Sequence, residues 1–255
     1  MTNRNPLTLS DEETGRYSRQ LSLPGFGVEA QLRLKAASVL LIGAGGLGSP
    51  AALYLAAAGV GAVTVVDGDA VDLSNLQRQV IHTTATIGVA KAANAARAMT
   101  ELNPNVRVTA IERFVTPDNI DALIAHHDFI IDATDSLTAK RLINDRCVAA
   151  GKPLSHGAIW RHAGHTMTVL PGTACFSCLF DTDPEPDSSP RGPLGVTAGI
   201  IGTLQASETI KYLTGTGTLL TNTLLSADTL TNTFTKISVA PSPHCRNRHT
   251  PVKDS

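Results

Sequence analysis

The sequence lacks a strong charge of either sign: its 255 residues carry 21 basic and 22 acidic side chains, with a formal net charge of −1. Neither nucleic acid nor an anionic membrane is therefore expected as the main ligand, because proteins that bind such polyanions usually carry a clear excess of basic residues. Long apolar runs are also missing, and no stretch approaches the roughly 20 residues of a membrane span. Residues 1–14 have neither the basic beginning nor the apolar stretch of a signal peptide.

Cysteine is scarce as well. The chain has four cysteines, and two of them form the pair Cys175-Phe-Ser-Cys178. This small number and this spacing are typical of thiols that bind a metal in a reducing compartment, and not of a disulfide framework. Together with the lack of a targeting segment, they predict a cytoplasmic protein. The length suits one large α/β domain, alone or with an appendage.

What the sequence does contain is a glycine-rich turn directly after an apolar strand. Residues 39–49 read Val-Leu-Leu-Ile-Gly-Ala-Gly-Gly-Leu-Gly-Ser, which places glycines at Gly43, Gly45, Gly46 and Gly48. Such glycines permit a tight turn, a close approach of backbone N–H groups to phosphate, and close packing of the following helix. A second predicted strand ends at Asp67, near the offset at which a carboxylate meets ribose hydroxyls. The pattern predicts a nucleotide site; the plainer alternatives are a glycine turn without a ligand and a capping aspartate.

Apolar runs alternate with helical patterns from residue 37 to about residue 159, which predicts a doubly wound, mostly parallel, Rossmann-like sheet in an α/β fold. A Thr-rich stretch, 218–239, alternates enough for two antiparallel strands that would extend the sheet in the C-terminal part. Other predicted strands are 39–42, 62–66, 106–110, 129–131, 154–158 and 166–170. Predicted helices are 50–58, 91–102, 117–126, 138–150 and 198–213, and the proline-rich segment 181–193 should be a mobile loop.

The most specific stretch follows the second strand and runs from Asp67 through Asp69, Asn75 and Arg78 to Gln79. One acid can hold a ribose, while Asn75, Arg78 and the later Lys91 supply an amide and two cations. These groups suit a triphosphate better than a pyrophosphate that the glycine loop already holds. ATP is therefore the expected nucleotide. The alternative for Arg78 and Lys91 is that they are solvated surface charges.

Taken together, these residues resemble a known family, the ubiquitin-activating-like adenylyltransferases that include the molybdopterin-synthase and thiamine-thiazole sulfur-carrier activators. The resemblance covers nearly the whole chain. Each of its motifs is weak alone, and the set is highly specific. The motifs are Arg16-Tyr-Ser-Arg19-Gln20, Gly43-Ala-Gly-Gly-Leu-Gly48, Asn75-Leu-Gln-Arg78-Gln79, Gly88-Val-Ala-Lys91, Asp132-Ala-Thr-Asp135 and Gly202-Thr-Leu-Gln205-Ala-Ser-Glu208.

The resemblance implies an adenylyltransferase that uses ATP and Mg²⁺ and acts on a small ubiquitin-like (β-grasp) sulfur-carrier protein with a Gly-Gly tail. The glycine carboxylate of the carrier would attack the α-phosphate and release pyrophosphate. The acyl-adenylate would then pass to a separate sulfur donor. The active unit would be a homodimer, since an arginine reaches the neighbouring subunit. The implied roles are ribose for Asp67, phosphates for Asn75, Arg78 and Lys91, magnesium for Asp135, and the neighbour's phosphates for Arg19.

The resemblance also implies a structural zinc site, although this chain departs from the pattern. Relatives complete the site with a second Cys-x-x-Cys near the C-terminus, whereas here Arg248 follows Cys245 at the position of the last thiolate. The predicted Zn²⁺ ligands are Cys175, Cys178, Cys245 and His249, with His244 as the fallback for the fourth. The alternative is that the metal site has been lost.

Some relatives link covalently to the carrier through a loop cysteine, but Ser188 occupies that position here. The remaining cysteine, Cys147, lies in a predicted helix and is expected to be buried and inert. Adenylylation without an enzyme thioester is the resulting expectation, because a serine without a neighbouring base is a poor nucleophile.

The implied organisation is a single domain: an N-terminal helical arm (1–36), a nucleotide-binding core (37–160), and a part for zinc and the carrier (161–255). Three competing functions remain open at this point. They are an NAD-dependent oxidoreductase, an activator of a carboxylate on a modified tRNA base, and a catalytically dead scaffold.

Overall fold

An eight-stranded mixed sheet organises the chain in a computed structural model that describes residues 7–180 and 192–247. Its strand order is β3-β2-β1-β4-β5-β6-β7-β8. The strands are β1 (Ser38–Ile42), β2 (Ala62–Val66), β3 (Arg107–Ile111), β4 (Phe129–Asp132), β5 (Leu154–Trp160), β6 (Ala163–Val169), β7 (Thr223–Asp228) and β8 (Thr233–Ser238). The first five pair in parallel, and β5 to β8 pair antiparallel.

Helices cover both faces of this sheet. They are α1 (Asp11–Arg16), α2 (Ser18–Leu21), α3 (Gly27–Ala36), α4 (Gly48–Ala58), α5 (Lys91–Leu102), α6 (Ile120–Ala125), α7 (Leu137–Ala149), α8 (Phe176–Leu179) and α9 (Gly195–Thr214). Among the described residues, no helix has both the length and the apolarity that a membrane span needs.

Strand β1 shows why two layers form, because its successive side chains point to opposite faces. Val39 and Leu41 join a core with helices α3, α4, α5 and α9, while Leu40 and Ile42 join a second core with α6 and α7. All four of these side chains are buried. A continuous apolar run is the pattern expected of a strand that is covered on both sides.

The predicted fold class is confirmed, including the antiparallel extension. The predicted helix start at Pro117 is wrong, since α6 begins only at Ile120. The Asn119 side chain explains the delay: its Oδ1 accepts from the Thr116 N–H and its Nδ2 donates to the Phe114 carbonyl, which forms a local turn. Most of the predicted loop at 181–193 lies outside the described residues.

The strand order also locates the expected binding crevice. From β1 the chain moves outward to β2 and β3, and it then returns to the other side of β1 to form β4. Ligands of open α/β sheets bind outside the carboxyl ends of the strands where the order reverses in this way. The crevice therefore lies between the ends of β1 and β4.

Candidate nucleotide and metal sites

The glycine loop occupies this switch point and leaves no room for side chains. Gly43 follows β1 with a φ of +97°, and a Cβ there would lie 2.7 Å from the Ala133 carbonyl oxygen at the end of β4. A Cβ on Gly48 would collide with the Gly43 carbonyl. Both positions therefore require glycine, one for its backbone conformation and one for close packing. The loop leads directly into α4, whose amino end can receive an anion.

Asp67 lies at the end of β2 and is bound to the glycine loop. Its Oδ2 accepts from the Ala44 N–H at 2.7 Å, and its Oδ1 accepts from the Asp69 N–H at 2.8 Å. A carboxylate has about four lone-pair sites, so each oxygen keeps capacity for a ribose hydroxyl. The structure thus places the predicted ribose ligand beside the predicted phosphate loop.

Two of the predicted phosphate residues are connected to the same loop, Arg78 directly and Lys91 through Asp69 and Asp67. Lys91 is the first residue of α5, is 7% exposed, and its Nζ lies 3.0 Å from Asp69 Oδ2. Asp69, predicted to contact nucleotide, therefore also holds Lys91. The Arg78 stem lies along the loop, 3.5 Å from where a Cβ on Gly46 would be, while its guanidinium donates to the Ser74 carbonyl.

Two neighbouring amides complete this side. Asn75 Oδ1 accepts from the Asp72 N–H and so caps the short helical turn at Leu73–Asn75. Gln79 is buried, and among the described residues its Oε1 accepts no hydrogen bond. A buried acceptor without a partner is rare in native proteins, and one beside a phosphate loop fits a site that is completed by a ligand or water.

A hydrogen-bond network that the sequence did not predict lies behind the loop. His82 Nε2 lies 2.9 Å from the Ala44 carbonyl, and its Nδ1 lies 2.7 Å from Asn94 Nδ2. Because an amide NH₂ can only donate, His82 Nδ1 is the acceptor. His82 Nε2 therefore carries the hydrogen and donates a hydrogen bond to the Ala44 carbonyl. Burial is the main cause that lowers the pKa of His82, so the neutral form is favoured. No local pattern around His82 predicts these two contacts, because Ala44 and Asn94 are far from His82 in the sequence.

The two aspartates after β4 differ in their surroundings. Asp135 is exposed just before α7, where a hydrated cation can reach it. Asp132 is buried and contacts Lys140 Nζ at 3.2 Å and His156 Nδ1 at 3.3 Å. Burial would raise the pKa of Asp132, but Lys140 and His156 hold it down to about 2. Asp132 is therefore an ionised carboxylate held by buried partners, whereas the carboxylate of Asp135 is open to solvent.

Arg19 is the one predicted nucleotide residue that lies elsewhere. It is exposed on α2, and no hydrogen bond among the described residues connects its side chain to the glycine loop. This position is compatible with the implied role across a dimer.

Three cysteines form a second cluster. Cys175 Sγ lies 4.0 Å from Cys178 Sγ and 3.7 Å from Cys245 Sγ, and all three sulfurs lie within 4.8 Å of one another. Tetrahedral Zn²⁺ with Zn–S bonds of about 2.3 Å would separate its sulfurs by about 3.8 Å. The donor set therefore fits zinc. The group found among the described residues does not include His244, and His249 lies outside them.

Amide groups surround these sulfurs. Asn144 Nδ2 and Asn247 Nδ2 lie 3.6 and 3.7 Å from Cys175 Sγ, and the Ser242 N–H lies 3.4 Å from Cys178 Sγ. Burial raises the pKa of Cys175 and raises that of Cys245 to about 12. A bound cation is thus the group that would keep them as thiolates at neutral pH.

The fold and the crevice define an α/β protein with a glycine loop at the switch point of its sheet, basic side chains near that loop, and a thiol cluster. The ThiF family model matches residues 17–247, so the chain belongs to the ThiF family, as the sequence motifs predicted. The alignments with two relatives span most of this chain and most of the relative. The chain is 41% identical over 243 residues to the SAMP-activating enzyme E1 of Haloferax volcanii, covering 94% of this chain and 90% of the relative. It is 42% identical over 244 residues to the sulfur carrier protein adenylyltransferase of Thermus thermophilus, covering 92% and 90%.

Other relatives are longer. The adenylyltransferase and sulfurtransferase MOCS3 of Anopheles gambiae is 42% identical over 243 residues, which cover 93% of this chain and 55% of the relative. A crystal structure of E. coli MccB superposes with a TM-score of 0.82 at 20% identity, covering 96% of this chain and 75% of that one, and it supports the fold alone. The names of the sequence relatives support the predicted enzyme class, an adenylyltransferase.

Proposed function

We propose that this protein uses ATP and Mg²⁺ to adenylylate the C-terminal glycine carboxylate of a small ubiquitin-like sulfur-carrier protein, with release of pyrophosphate. The convergence of the glycine loop, Asp67, Lys91 and Asp135 at the switch point carries the proposal. The proposed substrate is based on the names of two relatives that are more than 40% identical to this chain, one named for a sulfur carrier protein and one for SAMP. In this proposal, 37–160 is the nucleotide-binding core and 161–255 serves zinc and the carrier.

Binding of ATP follows from the arrangement of the loop. The backbone of the glycine loop and the amino end of α4 would receive phosphate oxygens, and Asp67 would accept from the ribose hydroxyls. Lys91 and Arg78 would neutralise the charge that develops as pyrophosphate leaves. The contact between Lys91 and Asp69 keeps the ammonium group beside the loop before the nucleotide arrives.

Magnesium fits at Asp135, whose exposed carboxylate offers the oxygen ligand that this ion prefers. The bound ion would supply charge neutralisation and orientation of the phosphates. A general base is unnecessary, because the carboxylate of the carrier is already ionised at neutral pH. The work of the protein is therefore positioning and electrostatic stabilisation.

We further propose that no enzyme thioester forms and that the acyl-adenylate passes to a separate sulfur donor. Cys147 is fully buried, and burial raises its pKa, so it makes a poor nucleophile. The three other cysteines lie in the cluster that fits zinc. Ser188, the residue at the loop position, lies outside the described residues. The cytoplasm is the proposed location, which agrees with four cysteines that form no disulfide.

Zinc would be held by Cys175, Cys178 and Cys245, with His249 proposed as the fourth ligand. Such a closed shell is structural, since it leaves no position for water or substrate. Arg19 would reach the phosphates of the neighbouring subunit, which makes a homodimer the proposed active unit.

Exchange of labelled pyrophosphate into ATP tests the reaction. We expect exchange to require a carrier that ends in Gly-Gly, and a carrier without its last glycine is the matched control. Lys91→Ala should reduce exchange strongly, whereas Arg107→Ala, at the exposed start of β3 and so at the end of the sheet opposite the crevice, should not. Exchange that ignores the carrier, or none with any Gly-Gly carrier, would contradict the proposal.

Three further readouts separate the alternatives. Thermal stabilisation by NAD in place of ATP and Mg²⁺ would favour the oxidoreductase. Salt-sensitive binding of tRNA would favour the tRNA-modification activator. A covalent adduct between enzyme and carrier that a reductant removes would contradict the absence of a thioester.

A further inference from the structure

Five buried residues form a closed ring between the end of β4 and the cysteine cluster, in which four links are contacts and the fifth, from Lys140 to Asn144, is one turn of α7. They are Asp132, Lys140, Asn144, Phe176 and His156, and each is at most 3% exposed. The ring passes from Asp132 along α7 to Phe176, which follows Cys175, and returns through His156 on β5. Two candidate sites that are distant in sequence are therefore joined by continuous packing.

The first part of the ring orders the loop that carries Asp135. Asp132 Oδ1 accepts from the Thr134 N–H at 3.1 Å and from the Thr134 hydroxyl at 2.7 Å. These two bonds shape the turn between Asp132 and Asp135. Any shift of the Asp132 carboxylate would therefore move the backbone next to Asp135.

The second part runs along α7. Lys140 contacts Asp132 and donates to the Gly157 carbonyl, and Asn144 lies one turn further along the same helix. Asn144 Oδ1 accepts from the Phe176 N–H at 3.0 Å, and its Nδ2 lies 3.6 Å from Cys175 Sγ. One rigid helix thus contacts the nucleotide side at one turn and a candidate metal ligand at the next.

The third part closes the ring through two side-chain contacts. The Phe176 ring lies 4.9 Å, centroid to centroid, from the His156 ring, and His156 Nδ1 lies 3.3 Å from Asp132 Oδ2. Cys175 is therefore joined to Asp132 by two routes, one along α7 and one through the two rings. Buried interiors are packed too densely to absorb a displacement locally, so a shift at one end is passed on.

We propose that this ring couples the two sites, so that zinc at the cysteine cluster and Mg²⁺–ATP at the crevice each strengthen the binding of the other. Asn144 and Phe176 act as positioning residues, since they touch neither nucleotide nor magnesium in the proposed function. The inference rests on that proposed function. It adds that the zinc site regulates nucleotide affinity.

Reciprocity supplies the test. The affinity for a non-hydrolysable ATP analogue with Mg²⁺ is measured in zinc-loaded and zinc-depleted protein, with circular dichroism to check that the depleted protein stays folded. Zinc affinity is measured in chelator-buffered zinc with and without the analogue. Linkage requires the two ratios to be equal, and a coupling of about fivefold or more is expected. Slower transfer of zinc to a chromophoric chelator in the presence of the analogue reports the same coupling from fully loaded protein.

Two variants test the route. Asn144→Ala removes the contacts of α7 with Phe176 and Cys175 without adding a charge beside Asp145, and Phe176→Leu removes the ring that touches His156. Each variant should lower the coupling ratio, and the two combined should bring it below about twofold, beneath the usual range for linked sites, while each ligand still binds alone. Arg146→Ala is the control on the same helix, because Arg146 pairs with Asp121 at the surface, and it should keep the wild-type ratio.

The outcomes are distinguishable. Tight nucleotide binding that is the same with and without zinc would overturn the coupling and leave the proposed function intact. An equal ratio in wild type, both ring variants and the control would overturn the route through these residues. Zinc-loaded protein that binds no ATP would contradict both the coupling and the proposed function.

Discussion

Single residues define the nucleotide site mainly by the space that they leave free. Gly43 combines a left-handed backbone with a close approach to Ala133. Gly151, by contrast, has a φ of +64°, and a Cβ there would have no atom within 4 Å. A side chain at Gly151 would therefore cost only backbone strain, whereas one at Gly43 would cost backbone strain and a collision as well.

We expect Gly43→Ala to destabilise the protein by about 2–4 kcal/mol, from left-handed strain and from overpacking against the Ala133 carbonyl. Gly151→Ala should cost only about 1–2 kcal/mol, since strain acts alone. Urea unfolding measures both values, and titration with ATP should show lost affinity for Gly43→Ala only. Equal costs for the two variants would contradict the collision.

A second effect at this scale concerns pH. Burial is the main cause that lowers the pKa of His165 to about 3, with His156 and Lys140 contributing. As the pH falls below about 6.5, His165 becomes protonated in the unfolded chain but stays neutral in the folded chain. Stability is therefore lost between about pH 6.5 and 3.

Between pH 7 and pH 5 the free energy of unfolding should therefore fall, and His165→Gln should make that fall smaller by about 1–2 kcal/mol. Urea unfolding at the two pH values measures the difference. The Gly151→Ala variant removes no titratable group, so it is the control and should show the same decrease in stability as the wild type. An unchanged fall in His165→Gln would show that this imidazole is not the titrating group.

At the level of elements, α9 is positioned by its contact with α4. A Cβ on Gly202 would collide with the Leu47 carbonyl and approach Pro50, so the two helices meet backbone to backbone. Gly199 lies on the same helix, and a Cβ there would have nothing within 4 Å. Through this contact α9 is held next to the glycine loop, where Ala198 faces Gly46.

Gly202→Ala should lower the free energy of unfolding by about 1–3 kcal/mol through overpacking. Gly199→Ala should raise it by about 0.5–1 kcal/mol, because alanine is the better helix former. Chemical unfolding of the two variants compares them directly. Two changes of the same sign would argue against this packing of α9 on α4.

At the level of the whole molecule, the proposed dimer makes a prediction about mixed subunits. Arg19 would serve the neighbouring site, whereas Lys91 would serve its own. Arg19→Ala and Lys91→Ala proteins should each be inactive, and together, after subunit exchange, they should recover roughly a quarter of wild-type exchange activity, since half of the dimers carry one intact site. No recovery in demonstrably mixed dimers would place Arg19 and Lys91 in the same chain's site.

Local patterns predicted much of this molecule. Strand β2 at Ala62–Val66 and helix α5 at Lys91–Leu102 have the predicted bounds. The run Val39 to Gly48 indicated both the strand and the turn, because the spacing of apolar and glycine residues follows directly from strand and turn geometry. The start of α6 was predicted too early, since the Asn119 turn competes with the helix.

The sequence by itself determined the fold class, the glycine loop and the family, because periodicity, turn residues and motif spacing are properties of neighbouring residues. Only the tertiary structure decided which distant side chains meet. It brought His82 to Ala44 and Phe176 to His156, whereas the approach of Cys245 to Cys175 was already implied by the family resemblance. These contacts join residues far apart in the chain, so they depend on the order of the strands and the packing of the helices, which no local pattern contains.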